Sequence, residues 1–193
     1  MLKSLYRWTL EKAANPLAER WLALVSFLES SVFPIPPDVM LVPMALARPH
    51  RALRLAGICT FASVCGAALG WIIGASFFEV IGAPIVSFYG AEDKFAEIQA
   101  AFNEEGVAIV LLAGFTPIPF KVITIASGMT GMSIYSMLAA SIVGRGARFF
   151  LLAGLLKLFG EPVKRLIDRH FGLITILVAL LIVAGFAAIH YLL

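Results

Sequence analysis

The chain has 193 residues, 61% hydrophobic and only 14% charged, with a formal net charge of +3. A soluble domain averages about 45–50% apolar and about 25% charged residues, so this composition excludes a water-soluble globular protein and leaves room for one membrane domain. In that setting the positive charge belongs to the loops flanking membrane spans and is no argument for nucleic acid.

Residues 1–20 read as an amphipathic N-terminal surface helix. Leu2, Leu5, Tyr6, Ala13 and Leu17 recur near helical spacing, with Lys3, Arg7, Glu11 and Lys12 elsewhere. Lys3 and Arg7 precede no apolar core before Pro16, so no removable signal peptide is expected. Asn15-Pro16 has the pattern of a cap followed by a first-turn proline, which restarts a helix.

The next segment, 21–47, is apolar but broken. Residues 21–33 and 39–47 are each too short to span, because a membrane helix needs about 20 residues. Between them stand Pro34, Pro36 and Pro37, which lack amide donors and restrict their predecessors. Two half-length segments joined by such a break predict a re-entrant hairpin.

Residues 55–82 predict a full span. Gly66, Gly70 and Gly74 share one face of it and would let another backbone approach closely. Cys59 and Cys65 in the same run have no C-x-x-C spacing and read as small packing residues. Residues 83–105 are polar, open with Glu92 and Asp93, and predict a short amphipathic surface helix. A second broken segment follows at 107–132, with Pro117 and Pro119 at its centre. Pro34 and Pro117 lie 83 positions apart, and the same offset carries Asp38 onto Lys121. The chain therefore reads as two related halves. Residues 134–160 predict a further span, interrupted in composition by Gly144-Arg145-Gly146-Ala147-Arg148, and 171–193 a C-terminal span.

Charge sidedness is consistent with re-entry. The N-terminal segment and the Arg48, Arg51, Arg54 cluster are both basic, and basic loops stay cytoplasmic. A single crossing at 21–47 would separate them, whereas a re-entrant hairpin keeps both inside. The acidic 83–105 stretch then falls outside, and the last span carries the C-terminus outside. The expected fold is an all-α membrane protein. It has an inverted repeat of two re-entrant hairpins (21–47 and 107–132), two spans (55–82 and 134–160) within a 21–160 membrane domain, and a third span at 171–193.

Five ionisable residues lie in or beside the apolar segments: Glu29, Asp38, Lys121, Arg145 and Arg148. Each costs roughly 2.5–3.5 kcal/mol at the centre of a membrane helix, so each must face protein or water and find a partner. The cations, with half-helix N-termini after the breaks, suit an anion. An acid that must take up a proton offers coupling to a proton gradient. The alternative reading of the same residues is a set of ion pairs that only lock helices together. Glu79 and Lys157 fall near span ends and read as interfacial. His50, His170 and His190 have no ligand spacing, so no metal is expected, and no catalytic motif or cofactor loop is present.

Three runs carry a resemblance: Phe27 to Asp38 (FLESSVFPIPPD), Gly114 to Gly128 (GFTPIPFKVITIASG) and Gly144 to Phe150 (GRGARFF). Together they resemble the DedA membrane proteins, also called SNARE-associated or VTT-domain proteins, and specifically their YqaA-type branch. The resemblance covers about residues 20–160. It implies movement of lipids such as undecaprenyl phosphate or phosphatidylethanolamine between leaflets, with links to proton motive force and envelope homeostasis. It also implies functional acids at Glu29 and Asp38 and a functional base at Lys121. Many members carry Gly-Arg-Phe at the start of the second motif where this chain has Gly114-Phe115, and Arg145 and Arg148 are candidates for the replacement charge. The expected function is thus a flippase or scramblase for a phosphate-bearing lipid in a bacterial inner membrane. Lipids and protons would be its partners, with a second copy of the chain also open as one. A non-transporting membrane scaffold or assembly factor, and a small-ion or proton-coupled transporter, are the alternatives.

Overall fold

The computed structural model describes residues 16–32, 36–116, 119–160 and 162. The expected surface helix up to residue 15, the prolines Pro34 and Pro117, and the expected span 171–193 lie outside them. Among the described residues every regular element is helical. The elements are α1 (Pro16–Glu29), α2 (Asp38–Ala47), a 3-10 turn (Pro49–Arg51), α3 (Ala52–Phe77), a π turn (Phe78–Gly82), α4 (Ala83–Phe88), α5 (Glu92–Phe115), α6 (Phe120–Met129) and α7 (Ile134–Gly160). Among the described residues, three helical stretches are long and apolar enough to cross a bilayer: Pro49–Phe77, Glu92–Phe115 and Ile134–Gly160. Their outward faces carry Phe61, Ile72, Leu112, Ile142, Leu151 and Leu158, all exposed, as expected where the solvent is lipid.

The proline breaks set the helix starts. Pro37, with helical φ, precedes α2, and its carbonyl accepts the amides of Met40 at 3.0 Å and Leu41 at 2.8 Å. Pro119 leads into α6 from an extended ψ. Each of α2 and α6 has 10 residues, a length of about 15 Å or half a hydrocarbon core. Glu19 near the start of α1 is bonded to Arg54 at 2.9 Å and Arg51 at 3.5 Å. The chain therefore enters α1 and leaves α2 at the same end of the molecule. In the second half, Gln99 of α5 reaches the Thr130 carbonyl after α6, and Gly106 packs on Met132. The turn after α6 is closed by Gly131 at φ +77, with the Met132 amide bonded back to Ser127 O at 3.0 Å.

The structure corrects the expected boundaries around residue 105. No separate surface helix spans 83–105. The chain makes the short α4, turns at Gly90 with φ +58, and enters α5 at Glu92, which reaches Phe115 across a non-helical residue at Glu105. The break expected after residue 105 is present as a kink at Glu105, whose φ −123 and ψ 15 are not helical, and the half-length segment at 107–115 is the part of α5 that follows it. Phe102 and Gly106 are both buried, one turn apart across the kink, so packing on one face holds the helix together where polarity changes. The first span likewise starts earlier than expected, at Ala52, and passes from α to π geometry at Phe78. The Gly144–Arg148 stretch does not interrupt α7, which is continuous through it.

Helix α3 is the axis on which both halves pack, chiefly through α1 and α6. A Cβ at Gly66 would lie 2.1 Å from the Phe27 carbonyl oxygen of α1, and one at Gly74 would lie 2.0 Å from the Ile125 carbonyl oxygen of α6. Gly70 sits between, against Thr124 of α6 and the Ser30 carbonyl. From the other side, Gly128 of α6 lies against the Trp71 carbonyl of α3. Backbone therefore meets backbone, as small residues permit in membranes. Two apolar cores result. One joins Leu22, Leu41, Met44, Leu55 and Phe149, and the other Ala67, Val110, Phe120, Met132 and Met137.

Gly66→Ala and Gly74→Ala should each lower stability by about 1–3 kcal/mol, the range for overpacking. Gly154→Ala in α7, where an added Cβ meets nothing within 4 Å, should be neutral or stabilising. Melting midpoints in detergent, read by loss of the monodisperse chromatographic peak, measure all three.

Candidate functional site

Ser63 lies near the middle of α3 and Arg145 near the middle of α7, so their meeting point is far from either helix end. Arg145 is 2% exposed, the largest fully buried side chain among the described residues. Its Nε donates to Ser63 Oγ at 2.7 Å, and its Nη2 donates to Glu29 Oε2 and to Ser30 Oγ at 3.3 Å. The Phe120 and Phe149 ring centroids lie 4.8 and 4.9 Å from its guanidinium carbon, a cation–π contact from each ring. The two serine hydroxyls are 2.6 Å apart, and Ser30 also donates to Glu29 at 3.1 Å. A charge in this position is tolerated because each of these neighbours is an acceptor, a hydroxyl or a π face.

Three residues further along α7, Arg148 makes a second pair. Its Nη2 donates to Asp38 Oδ2 at the start of α2, and its Nη1 donates to the Thr116 carbonyl at the end of α5, at 2.7 Å. The i, i+3 spacing puts both arginines on one helical face. The Arg148–Asp38 pair is more open, with side-chain exposures of 22% and 23%. Asp38 Oδ1 is buried without a hydrogen-bond partner. Lys121, in the first turn of α6, donates through Nζ to the Val32 carbonyl just beyond α1, at 3.1 Å. Thr124 Oγ1, one turn on, donates to the Ser30 carbonyl at 3.1 Å. The carbonyls that proline leaves without helical partners at the ends of α1 and α5 are therefore capped from the opposite half or from α7.

All five ionisable residues singled out from the sequence take part in these contacts. Glu29 and Asp38 are each joined to an arginine of α7, and Lys121 reaches across from the second half. Of the breaking prolines, Pro36, Pro37 and Pro119 flank the starts of α2 and α6 as described. Ser30, Ser63, Phe120, Phe149 and the Thr116 and Val32 carbonyls were not among the residues singled out. Ser63 had a legible signal, since it continues the Gly66, Gly70, Gly74 face one turn earlier. The aromatic pair had none, because phenylalanines are frequent throughout the chain. Of the cysteines, Cys59 is buried and its carbonyl accepts from Ser26 at 2.9 Å, while Cys65 is exposed. Among the described residues no group of histidine, cysteine and acidic side chains is disposed to hold a metal ion.

A cavity of about 670 Å³ lies elsewhere, at the open end of the second half. It is lined by Asn103, Glu104 and Glu105 at the α5 kink and by Met132, Ser133 and Ser136 before and within α7. None of the five charged residues lines it.

Fold and site together define a polytopic helical membrane protein in which two proline-broken half-length helices meet around buried ion pairs. The chain belongs to the VTT-domain family, also called DedA: the VTT domain model matches residues 35–158. It is 36% identical over 171 residues to an uncharacterized protein of Haemophilus influenzae, covering 89% of this chain and 88% of that one. It is 35% identical over 152 residues to a Histophilus somni protein described as a homolog of HI0703, covering 79% of each. No solved structure matches the chain.

Removing Arg145 should be the most damaging single change in the site. Arg145→Ala leaves Glu29 buried and unpaired, a loss of about 3–5 kcal/mol for a broken buried pair. Arg148→Ala, at a more exposed pair, should cost less than half as much. Thermal midpoints of the two purified variants compare the losses directly.

Proposed function

We propose that the protein carries the phosphate-bearing headgroup of a lipid between the two leaflets of a bacterial inner membrane, with no covalent chemistry on the lipid. The observation that carries this reading is the convergence of Glu29, Asp38, Lys121, Arg145 and Arg148 at the breaks of the two interrupted segments. Ion pairs that only bound helices together would be replaceable by apolar packing at little cost. Cations placed at helix breaks, on carbonyls that a ligand could displace, suit an entering anion.

On this reading α1–α2 is a re-entrant hairpin from the cytoplasmic side. The bonds of Glu19 to Arg51 and Arg54 support it by bringing both hairpin ends together among basic residues. The second hairpin enters from the other side as residues 106–115 of α5 followed by α6. This part of α5 carries no charged residue. The preceding turns, with Glu92, Asp93, Glu97, Glu104 and Glu105, stay in the outer interfacial region. The N-terminus is cytoplasmic and the C-terminus outside. Phosphate monoesters carry about −1.5 to −2 near neutral pH, which the three cations balance once one acid is protonated, and that proton offers coupling to a gradient.

Purified protein in vesicles should exchange a fluorescent phospholipid between leaflets at least ten times faster than empty vesicles, measured by dithionite quenching. Rates equal to empty vesicles across phosphatidylethanolamine, phosphatidylglycerol and a polyprenyl phosphate would remove the transport reading. Single cysteines, Pro36→Cys and Pro119→Cys in a background lacking Cys59 and Cys65, should react with impermeant maleimide from opposite faces. Labelling from one common face would sink the inverted hairpins and leave transport standing.

A further inference from the structure

The two arginine–carboxylate pairs are built differently, and the difference assigns them different work. We infer that Glu29–Arg145 is a fixed clamp, while Arg148 is the exchangeable group, releasing Asp38 to bind the phosphate of an entering headgroup with Lys121 beside it. The inference rests on the reading of the protein as a carrier of phosphate headgroups and names the part of the site that touches the cargo.

Arg145 has nowhere to go. Its guanidinium is held by Glu29, Ser63 and Ser30, sandwiched between Phe120 and Phe149, and 2% exposed. Turning it toward a ligand would leave Glu29, itself buried at 9% exposure, as an isolated carboxylate. The cage also ties α1, α3 and α7 together, so opening it would part three helices.

Arg148 is held by one carboxylate oxygen and one backbone carbonyl. A guanidinium has five N–H donors in a planar fork, so donors remain for a phosphate oxygen while the Thr116 bond persists. The pair is about a quarter open, so Asp38 can be rehydrated when its partner leaves. Its Oδ1 already lacks a partner, so Asp38 is an incompletely satisfied competitor for the guanidinium. Lys121 supplies the second cation. Its side chain is held by a single bond to the Val32 carbonyl, in an exposed position at the other break. A phosphate reached by Arg148 and Lys121 would displace one carboxylate and one carbonyl, and would leave the clamp untouched.

The test reads ligand binding apart from transport. The melting midpoint of detergent-purified protein is followed while inorganic phosphate, glycerol phosphate or glycerophosphoethanolamine is titrated, with ionic strength held constant by chloride. A ligand bound only by the folded state raises the midpoint with the logarithm of its concentration. The wild type should show this rise. Arg148→Gln should abolish it. Asp38→Asn, which removes the internal competitor, should shift the titration to at least threefold lower phosphate concentration. Ser63→Ala, which loosens the cage without stranding a charge, should lower the starting midpoint and keep the rise. Glycerophosphoethanolamine acting at lower concentration than inorganic phosphate identifies a lipid headgroup as the ligand, and the reverse order identifies free phosphate. A rise that survives Arg148→Gln, a rise lost in Asp38→Asn, or no rise in the wild type overturns the inference. Leaflet exchange measured on the same preparations separates the two readings. Exchange without a phosphate-dependent rise defeats this assignment alone, and a rise without exchange defeats transport alone.

Discussion

A guanidinium in the middle of a long apolar helix must be solvated by protein, and the arrangement of this molecule follows from meeting that requirement for Arg145. Lipid offers it nothing. Glu29 supplies the countercharge, Ser30 and Ser63 supply oxygens, and Phe120 and Phe149 supply π faces. These groups come from α1, α3, α6 and α7, so the solvation shell is also the junction of the helices. A residue that would be expensive to bury alone becomes the point at which the two halves of the fold are registered against each other.

The same logic extends to the backbone. Proline breaks free carbonyls and amides that hydrocarbon cannot satisfy. Here the carbonyls at the end of α1 receive Lys121 and Thr124 from α6, and the carbonyl at the end of α5 receives Arg148 from α7. The first half of the chain thus depends on α6 of the second for its unpaired backbone, and the end of α5 depends on α7. The glycine face of α3 makes this possible. Only without Cβ atoms at Gly66, Gly70 and Gly74 can α1 and α6 lie close enough for side chains in the first turn of α6 to reach the end of α1.

Such a construction is stiff at its centre and more open at one edge. The clamp around Arg145 is dry and made of many short contacts, whereas the pair between Asp38 and Arg148 is partly exposed and incompletely satisfied. The proposed carrier function would use both properties: a fixed framework, and a polar edge whose partners can be traded for those of a cargo. The absence of arginine between Gly114 and Phe115 fits the same picture. Gly114 packs against the Gly144 and Arg145 backbone, where an added Cβ would lie 3.2 Å from the nearest atoms, and Arg148 brings its guanidinium to Thr116 from the neighbouring helix.

Much of this was written in the sequence in plain terms. The apolar runs dictate a membrane protein, the prolines dictate where helices must stop, and the small face of α3 dictates a close backbone contact, because these are local properties of hydrogen bonding and side-chain volume. The charged residues announced themselves as needing partners, since their desolvation cost does not depend on the fold. Which partner each one takes was decided only in three dimensions. Glu29 and Arg145 are separated by more than a hundred residues, and nothing local distinguishes Arg145 from Arg148 as the one to be caged. The fate of residues 92–115 was likewise tertiary. Their polarity changes at Gly106, which reads as a boundary, and the helix does kink there, at Glu105, but that Phe102 and Gly106 are both buried on either side of the kink was decided by packing. Short-range chemistry determines where a chain can bend and what it must bury. Only packing determines which of the permitted bends are used and which charges meet.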